Sequence, residues 1–220
     1  MGYAALFSGG KDSTYTLYLA LRNGYEVTYL ISMISENVES YMYHTPNMHL
    51  VELLAESIGI KLVKGWTRGE KEKEVDDLRA VLEKLGVEGV VVGAIASKYQ
   101  KERVERVCET LGLKMYAPLW GVNVDDYMED LVKRFEVMIT AVGAEGLGRE
   151  WLGRILDKDA LEELKKLREI YGIHIAGEGG EYETLVLNGP IFRKRLVVED
   201  YDVVWEGNSG YLKIKKAVLV

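Results

Sequence analysis

Hydrophobic positions follow a regular alternation through the first half of the chain. Five apolar runs have the length of β-strands, and they occupy Tyr3–Phe7, Glu26–Met33, Lys61–Trp66, Gly89–Gly93 and Lys114–Ala117. Between them, apolar residues recur every three or four positions, which predicts helices over Ser13–Asn23, Asn47–Ile58, Glu70–Leu85 and Ser97–Leu111. Because strands that alternate with helices form parallel sheets with right-handed crossovers, the pattern predicts an α/β domain with a doubly wound, five-stranded parallel sheet.

The pattern changes after Gly121, where strands and helices no longer alternate. Asp159 and Glu162 have the spacing of a capping box, which predicts that a helix begins there. The sequence therefore predicts two domains, 1–121 and a smaller α+β domain over 122–220. The elements predicted for the second domain are a helix over Val124–Phe135, a strand over Val137–Val142, a helix ending at Tyr171, and a strand over Arg195–Trp205 leading into a turn at Asn208-Ser209-Gly210.

The composition indicates a folded, acidic protein. Hydrophobic residues make up 48% of the 220 positions, which is enough for a full core, and the formal net charge is −7. Because binding to a phosphate backbone needs clustered Lys and Arg, direct nucleic-acid binding is not expected. The absence of a membrane-length apolar run and of a signal-peptide pattern predicts a cytoplasmic protein without a membrane partner. A single Gln among many Lys and Glu is typical of thermophile proteins.

The segment Ser8-Gly9-Gly10-Lys11-Asp12-Ser13 lies between the first predicted strand and the first predicted helix. Unpaired N–H groups and the positive end of the helix dipole make such a position suitable for an anion. Adjacent glycines let the backbone approach the anion closely. The spacing is neither that of a Walker A loop nor GxGxxG. A glycine turn followed by a helix cap would explain the same letters without any ligand.

The letters SGGKDS match the signature SGGxDS, and in this the chain resembles the PP-loop enzymes, which have the HUP-like fold of the adenine nucleotide alpha hydrolases. The resemblance places Ser8, Gly9, Gly10, Asp12 and Ser13 at the fixed positions and Lys11 at the variable one. It implies that the loop binds the β- and γ-phosphates of ATP with Mg²⁺, and that ATP is cleaved to AMP and pyrophosphate. Nothing in the sequence assigns the metal ligands.

Two further motifs make the chain similar to one branch of these enzymes, the diphthine–ammonia ligase family. They are GAIASKYQ at 93–100 and GEGGEYET at 177–184. The resemblance covers essentially the whole chain. It implies an ATP-dependent carboxylate–ammonia ligase that converts diphthine on translation elongation factor 2 to diphthamide through an acyl-adenylate, the last step of diphthamide biosynthesis.

The second motif contains three carboxylates, Glu178, Glu181 and Glu183, within a short glycine-rich stretch. Carboxylates at such spacing repel one another unless a cation lies among them. The trimethylammonium of diphthine, an ammonium ion or Mg²⁺ would each suit the cluster. A solvated acidic loop is the alternative. We expect the three to face the SGGKDS loop across a cleft and to act, together with Asp12, in catalysis.

Other candidate site residues lie at predicted strand ends, where ligands bind in parallel α/β sheets. Adenine is expected beside Met33, and the ribose or α-phosphate beside Gly93, Ala94 and Ile95. The candidates for substrate binding are His44, Tyr99, Arg103 and Thr184. For two of them a structural role is the alternative, with His44 at the surface and Arg103 in a surface salt bridge.

The number of cysteines limits the reactions that the chain can carry out. Cys108 is the one cysteine in the sequence, and it falls on an apolar helix face. A disulfide and a two-cysteine persulfide relay within the chain are therefore excluded. Without a Cys-His-Glu glutaminase, the chain is expected to use free ammonia. A different PP-loop ligase, a tRNA-modifying enzyme and a non-catalytic adenine-nucleotide-binding module remain alternatives, and a homo-oligomer is compatible with the sequence.

Overall fold

The computed structural model describes residues 2–35, 47–68 and 73–220, and the prediction for His44 lies outside them. The first half alternates as expected. Its strands are β1 (Tyr3–Leu6), β2 (Val27–Ser35), β3 (Lys61–Thr67), β4 (Gly89–Val91) and β5 (Lys114–Tyr116). Its helices are α1 (Lys11–Arg22), α2 (Val51–Ile58), α3 (Lys73–Glu83) and α4 (Lys98–Leu111), and a 3-10 turn over Met48–Leu50 precedes α2.

The five strands form one parallel sheet in the order β3-β2-β1-β4-β5, which confirms the predicted fold class. The chain moves outward from β1 to β3 on one side and then returns to continue through β4 and β5 on the other. A crevice opens where the order reverses, at the carboxyl ends of β1 and β4. The SGGKDS loop follows β1 directly and therefore lies at this crevice.

The second half is built on an antiparallel sheet in the order β7-β6-β9-β8. Two helices accompany it, and their packing against each other and the sheet forms a core that includes Met128, Leu131, Leu161 and Leu164. No helix among the described residues is long and apolar enough to cross a membrane. The elements are α5 (Val124–Arg134), β6 (Glu136–Val142), α6 (Lys158–Tyr171), β7 (Tyr182–Asn188), β8 (Leu196–Glu206) and β9 (Ser209–Leu219).

Two local predictions for this half are wrong. The cap of α6 is Asp157, whose carboxylate accepts the Ala160 N–H at 2.9 Å, so Asp159 lies inside the first turn rather than before it. The β8–β9 turn consists of Gly207 and Asn208, because Glu206 already pairs with Ser209. Gly207 has φ 58°, which a glycine adopts without strain.

The two halves share a core and backbone hydrogen bonds. Leu17 and Leu54 from the first half pack with Leu185 and Leu212 from the second. The Asn47 side chain, which comes just before the 3-10 turn, donates to Leu212 O at 2.9 Å and accepts from Ile214 N at 2.8 Å. The second half is thereby held against the crevice side of the parallel sheet.

Candidate active site

A cavity of about 590 Å³ lies at the carboxyl ends of β1, β2 and β4, within the size range of small-molecule sites. Its walls come from both halves of the chain. Phe7, Met33 and Gly93 contribute from the strand ends, and Tyr182 and Thr184 contribute from β7. The cavity brings together the SGGKDS loop and the GEGGEYET segment, which are far apart in sequence.

The loop presents donors to this cavity. Ser13 Oγ donates to Gly10 O and accepts from Ser8 N, both at 3.2 Å, and it lies 3.2 Å from Ser8 Oγ. Lys11 N donates to Thr184 Oγ1 at 3.1 Å, so β7 contributes to the loop's conformation. Within the described residues the N–H groups of Asp12 and Ser13 have no acceptor. Free first-turn amides beside hydroxyls form a site for an oxyanion.

Gly93 supports the back of the loop. A Cβ at this residue would lie 3.0 Å from Ser13 N and 3.1 Å from Asp12 C and O. These are backbone atoms of the first turn of α1, and they have no flexible side chain that could yield. The glycine after β4 is therefore required by the position of the loop.

We expect Gly93→Ala to displace the loop and lower the affinity for ATP, because the added methyl group presses on the amides that face the cavity. Gly143→Ala is the matched control, since its Cβ would meet Gly180 O at 3.5 Å, an ordinary contact. Calorimetric titration with ATP measures the effect. Equal affinities for the two variants would contradict this role for Gly93.

Asp12 is held from two sides. Its carboxylate accepts hydrogen bonds from Lys11 Nζ at 2.8 and 3.0 Å and from Tyr127 Oη at 2.7 Å. Lys11 is 3% exposed, and its Nζ also lies 5.4 Å from the centre of the Tyr182 ring. Burial and the neighbouring Asp12 carboxylate raise the pKa of Tyr127 well above its ordinary value, so this hydroxyl stays a donor. Lys11, at the variable position of the motif, therefore links the Asp12 carboxylate to the Tyr182 ring.

Tyr127→Phe is expected to lower kcat/KM for ATP by roughly tenfold or more, because a hydrogen bond to a charged group contributes about 1.5–3 kcal/mol. Tyr15→Phe is the control, since Tyr15 Oη donates to Asp130 at 2.6 Å, away from the cavity lining. Both variants should lose similar stability in thermal unfolding. Equal kinetic losses in both would show that Tyr127 does not act through Asp12.

The three carboxylates of the second motif do not all face the cavity. Glu178 Oε2 accepts the Ala96 N–H at 3.1 Å, across the cavity, and burial followed by Asp12 raises the pKa of Glu178. Glu183 also lines the cavity. Glu181 turns away, because its oxygens accept the N–H groups of His174 at 2.9 Å and Gly179 at 2.8 Å. The expectation that all three face the loop is wrong for Glu181, which stabilises the turn.

The structure divides the remaining predicted site residues into two groups. Ser8, Gly10, Met33, Ala94, Tyr99 and Thr184 line the cavity. Gly9, Ile95 and Arg103 do not. The Gly9 carbonyl accepts from Val186 N at 2.9 Å, and the Ile95 side chain is buried in the core. The Arg103 guanidinium lies 3.3 Å from the centre of the Tyr99 ring, so Arg103 packs against a residue that lines the cavity.

Sequence reasoning missed Tyr127 and did not assign a role to Tyr182. Tyr127 lies on α5, in a helix that carries no motif, and only folding brings its hydroxyl to Asp12. Tyr182 was visible within GEGGEYET, but its place under the Lys11 ammonium depends on β7 pairing with β6. Within this segment, Tyr182, Glu183 and Thr184 begin strand β7.

The residues at the cavity suit a metal ion that binds together with a nucleotide. Among the described residues, no group of three or more His, Cys, Asp or Glu side chains is placed to hold a metal ion. Mg²⁺ at nucleotide sites takes one or two carboxylates together with phosphate oxygens. Asp12 offers such a carboxylate at the cavity. The residues therefore fit Mg²⁺ bound to a nucleoside triphosphate.

The parallel sheet and the SGGKDS loop at the start of α1 define an α/β protein of the PP-loop class. Two family models match the chain, the diphthamide synthase N-terminal domain over residues 1–115 and the diphthamide synthase C-terminal domain over residues 123–220. With these two matches and its curated relatives, the chain belongs to the diphthine–ammonia ligase (diphthamide synthase) family.

Relatives match over nearly the full chain. The diphthine–ammonia ligase of Homo sapiens is 38% identical over 239 residues, which cover 97% of this chain and 89% of that protein. That of Schizosaccharomyces pombe is 35% identical, and the match covers 99% of this chain and 40% of that protein. A solved structure described as a predicted tRNA methyltransferase subunit from Methanocaldococcus jannaschii aligns with a TM-score of 0.49 at 18% identity, over 86% of this chain and 98% of that chain.

Proposed function

We propose that this chain is an ATP-dependent ligase that amidates diphthine on elongation factor 2 with ammonia, which forms diphthamide, AMP and pyrophosphate. One observation carries the proposal. The SGGKDS loop and the GEGGEYET segment line the same cavity and are joined by the hydrogen bond from Lys11 N to Thr184 Oγ1 at 3.1 Å. Elongation factor 2 as substrate would place the reaction in the cytoplasm.

The loop supplies the adenylation half of the reaction. A carboxylate is a poor acyl donor, and adenylation gives it AMP as a leaving group. The amides of Asp12 and Ser13 and the hydroxyls of Ser8 and Ser13 would bind the pyrophosphate portion of ATP. Asp12 would hold Mg²⁺ at the phosphates, and the metal ion would offset charge on the leaving group. Met33 and Ala94 at the strand ends would contact the base and the ribose.

The second half of the chain supplies the acceptor side. We place the functional division at the predicted boundary, with 1–121 binding ATP and 122–220 binding the acceptor. Glu178 is half-buried at the cavity edge and offers negative charge to the trimethylammonium group of diphthine. Tyr99 and Tyr182 add aromatic faces at the same cavity, which suit a quaternary ammonium ion.

The nucleotide products test the proposal. Purified protein is incubated with ATP, ammonium and diphthine-form elongation factor 2, and nucleotides are separated by chromatography. We expect AMP and pyrophosphate to form only when ATP and the protein acceptor are both present. ADP and phosphate as products, or ATP binding without turnover, would exclude the ligase and favour another nucleotide-binding role.

A further inference from the structure

Glu183 is partly buried, and one of its carboxylate oxygens is buried without a partner that the fold supplies. It lies on β7 and lines the cavity. Its Oε2 is inaccessible to solvent and accepts no hydrogen bond within the described part of the chain. A buried carboxylate oxygen without a partner destabilises a protein, so its presence calls for a role.

The charges around Glu183 leave it without a dedicated counterion. Lys11 of α1 lowers its pKa, but the Lys11 ammonium is already paired with Asp12 at 2.8 Å. From β6, the residue opposite Glu183 is Ala141, which is uncharged. Asp12 and Glu178, on other parts of the wall, are acidic. The one small cation that the proposed reaction consumes is ammonium.

We propose that Glu183 binds the ammonium ion in this cavity and accepts the proton that ammonium must lose before it attacks the acyl-adenylate. This inference rests on the proposed function. The Glu183 carboxylate takes one proton from ammonium and becomes neutral. The nitrogen lone pair of the resulting ammonia forms the C–N bond to the acyl carbon as the C–O bond to AMP breaks. The N-protonated amide then releases a second proton to solvent.

The proton affinity of Glu183 suits this step. Burial raises its pKa from 4.5 to about 7, although Lys11 opposes the rise. A general base transfers protons most effectively when its pKa lies near the working pH. Both oxygens of Glu181 and one oxygen of Glu178 already accept backbone N–H groups. Glu183 is the carboxylate of this motif with a buried oxygen that has no partner among the described residues.

Two nucleophiles separate proton transfer from the rest of the reaction. At pH 7 ammonia is present almost entirely as its protonated form, ammonium, which must lose a proton before it can attack. Hydroxylamine is mostly neutral at this pH and attacks without losing a proton first. We expect Glu183→Gln to lower the ammonium-dependent rate by about 10²–10⁴-fold. The hydroxylamine-dependent rate, measured as hydroxamate, should match that of the wild type. The ammonium defect should shrink as the pH rises and free ammonia accumulates.

The outcomes distinguish this inference from the proposed function. Equal losses with both nucleophiles, or no loss with either, would overturn the role of Glu183 while leaving the ligase assignment intact. A wild-type protein that releases no pyrophosphate with diphthine-form elongation factor 2 would overturn both. Glu145→Gln, at an exposed residue, is the control for a lost surface carboxylate.

Stability against pH provides a test of burial that is independent of turnover. Because the folded pKa of about 7 is raised above 4.5, Glu183 favours the folded state below pH 4.5, and this contribution disappears as the pH rises through 7. Glu183→Gln lacks the buried charge. Its melting temperature should therefore exceed that of the wild type at pH 8, and the difference should narrow towards pH 4.5. A variant that is less stable at pH 8 would show that Glu183 has a structural partner.

Discussion

Replacing Ser13 with alanine is expected to lower the rate of AMP and pyrophosphate formation by about 10²–10³-fold, the usual effect of removing one donor from such a site. Ser13 lines the cavity, and its Oγ stabilises the conformation of the loop by donating to Gly10 O and accepting from Ser8 N. The variant loses both a ligand contact and the loop geometry. Steady-state release of pyrophosphate, coupled to a colorimetric phosphate assay, measures the effect.

A control substitution at a second serine distinguishes a specific effect on the SGGKDS loop from a general loss of stability. Ser209 is exposed at the start of β9, and its Oγ donates to Glu206 O at 3.4 Å, a weak contact. Ser209→Ala should retain wild-type turnover. Near wild-type turnover by Ser13→Ala, with a normal melting temperature, would mean that the SGGKDS loop does not bind the phosphates.

Replacing Glu178 with glutamine is expected to spare ATP binding and to lower amide formation by roughly 10- to 100-fold, which corresponds to about 1.4–2.8 kcal/mol of lost attraction between this carboxylate and the cationic acceptor. The glutamine oxygen can still accept the Ala96 N–H that Glu178 accepts at 3.1 Å. The lost feature is the negative charge that faces the acceptor. ATP affinity by calorimetry and amide formation by mass spectrometry separate the two halves of the reaction.

Unlike Glu183→Gln, the Glu178 variant should be impaired with both ammonium and hydroxylamine, because Glu178 is proposed to bind the diphthine group and not the nucleophile. Glu145→Gln again serves as the control at an exposed position. A Glu178 variant that binds ATP more weakly while amidating normally would place this residue on the nucleotide side of the cavity.

The first half of the fold could be predicted because each of its elements carries its own signal. The apolar run at Gly89–Gly93 begins with the parallel strand β4, and glycines such as Gly24 and Gly59 end helices at positive φ. The cap of α6 was misplaced because the capping-box rule favours Asp159, which has Glu162 three residues later, over Asp157, which has Ala160 there. Only the backbone geometry selects Asp157, since it lies at φ −97° and ψ −170° before the first turn.

The candidate site could be predicted only as far as local motifs reach. SGGKDS and GEGGEYET each mark a segment, and the structure brings both to one cavity. Which carboxylate faces that cavity depends on the turn at Gly177–Gly180, which sends Glu181 to two backbone amides and Glu183 onto β7. Tyr127 reaches Asp12 through the packing of α5, a contact that no local pattern encodes.

The modified histidine of elongation factor 2 provides the most direct test of the central claim. Diphthine-form elongation factor 2 is incubated with the protein, ATP and ammonium, and the peptide that carries this histidine is analysed by mass spectrometry. Conversion of its carboxylate to a carboxamide, with ¹⁵N incorporated from labelled ammonium and only when ATP is present, is the predicted result. An unchanged diphthine peptide, recovered while the same protein sample binds ATP, would contradict the account.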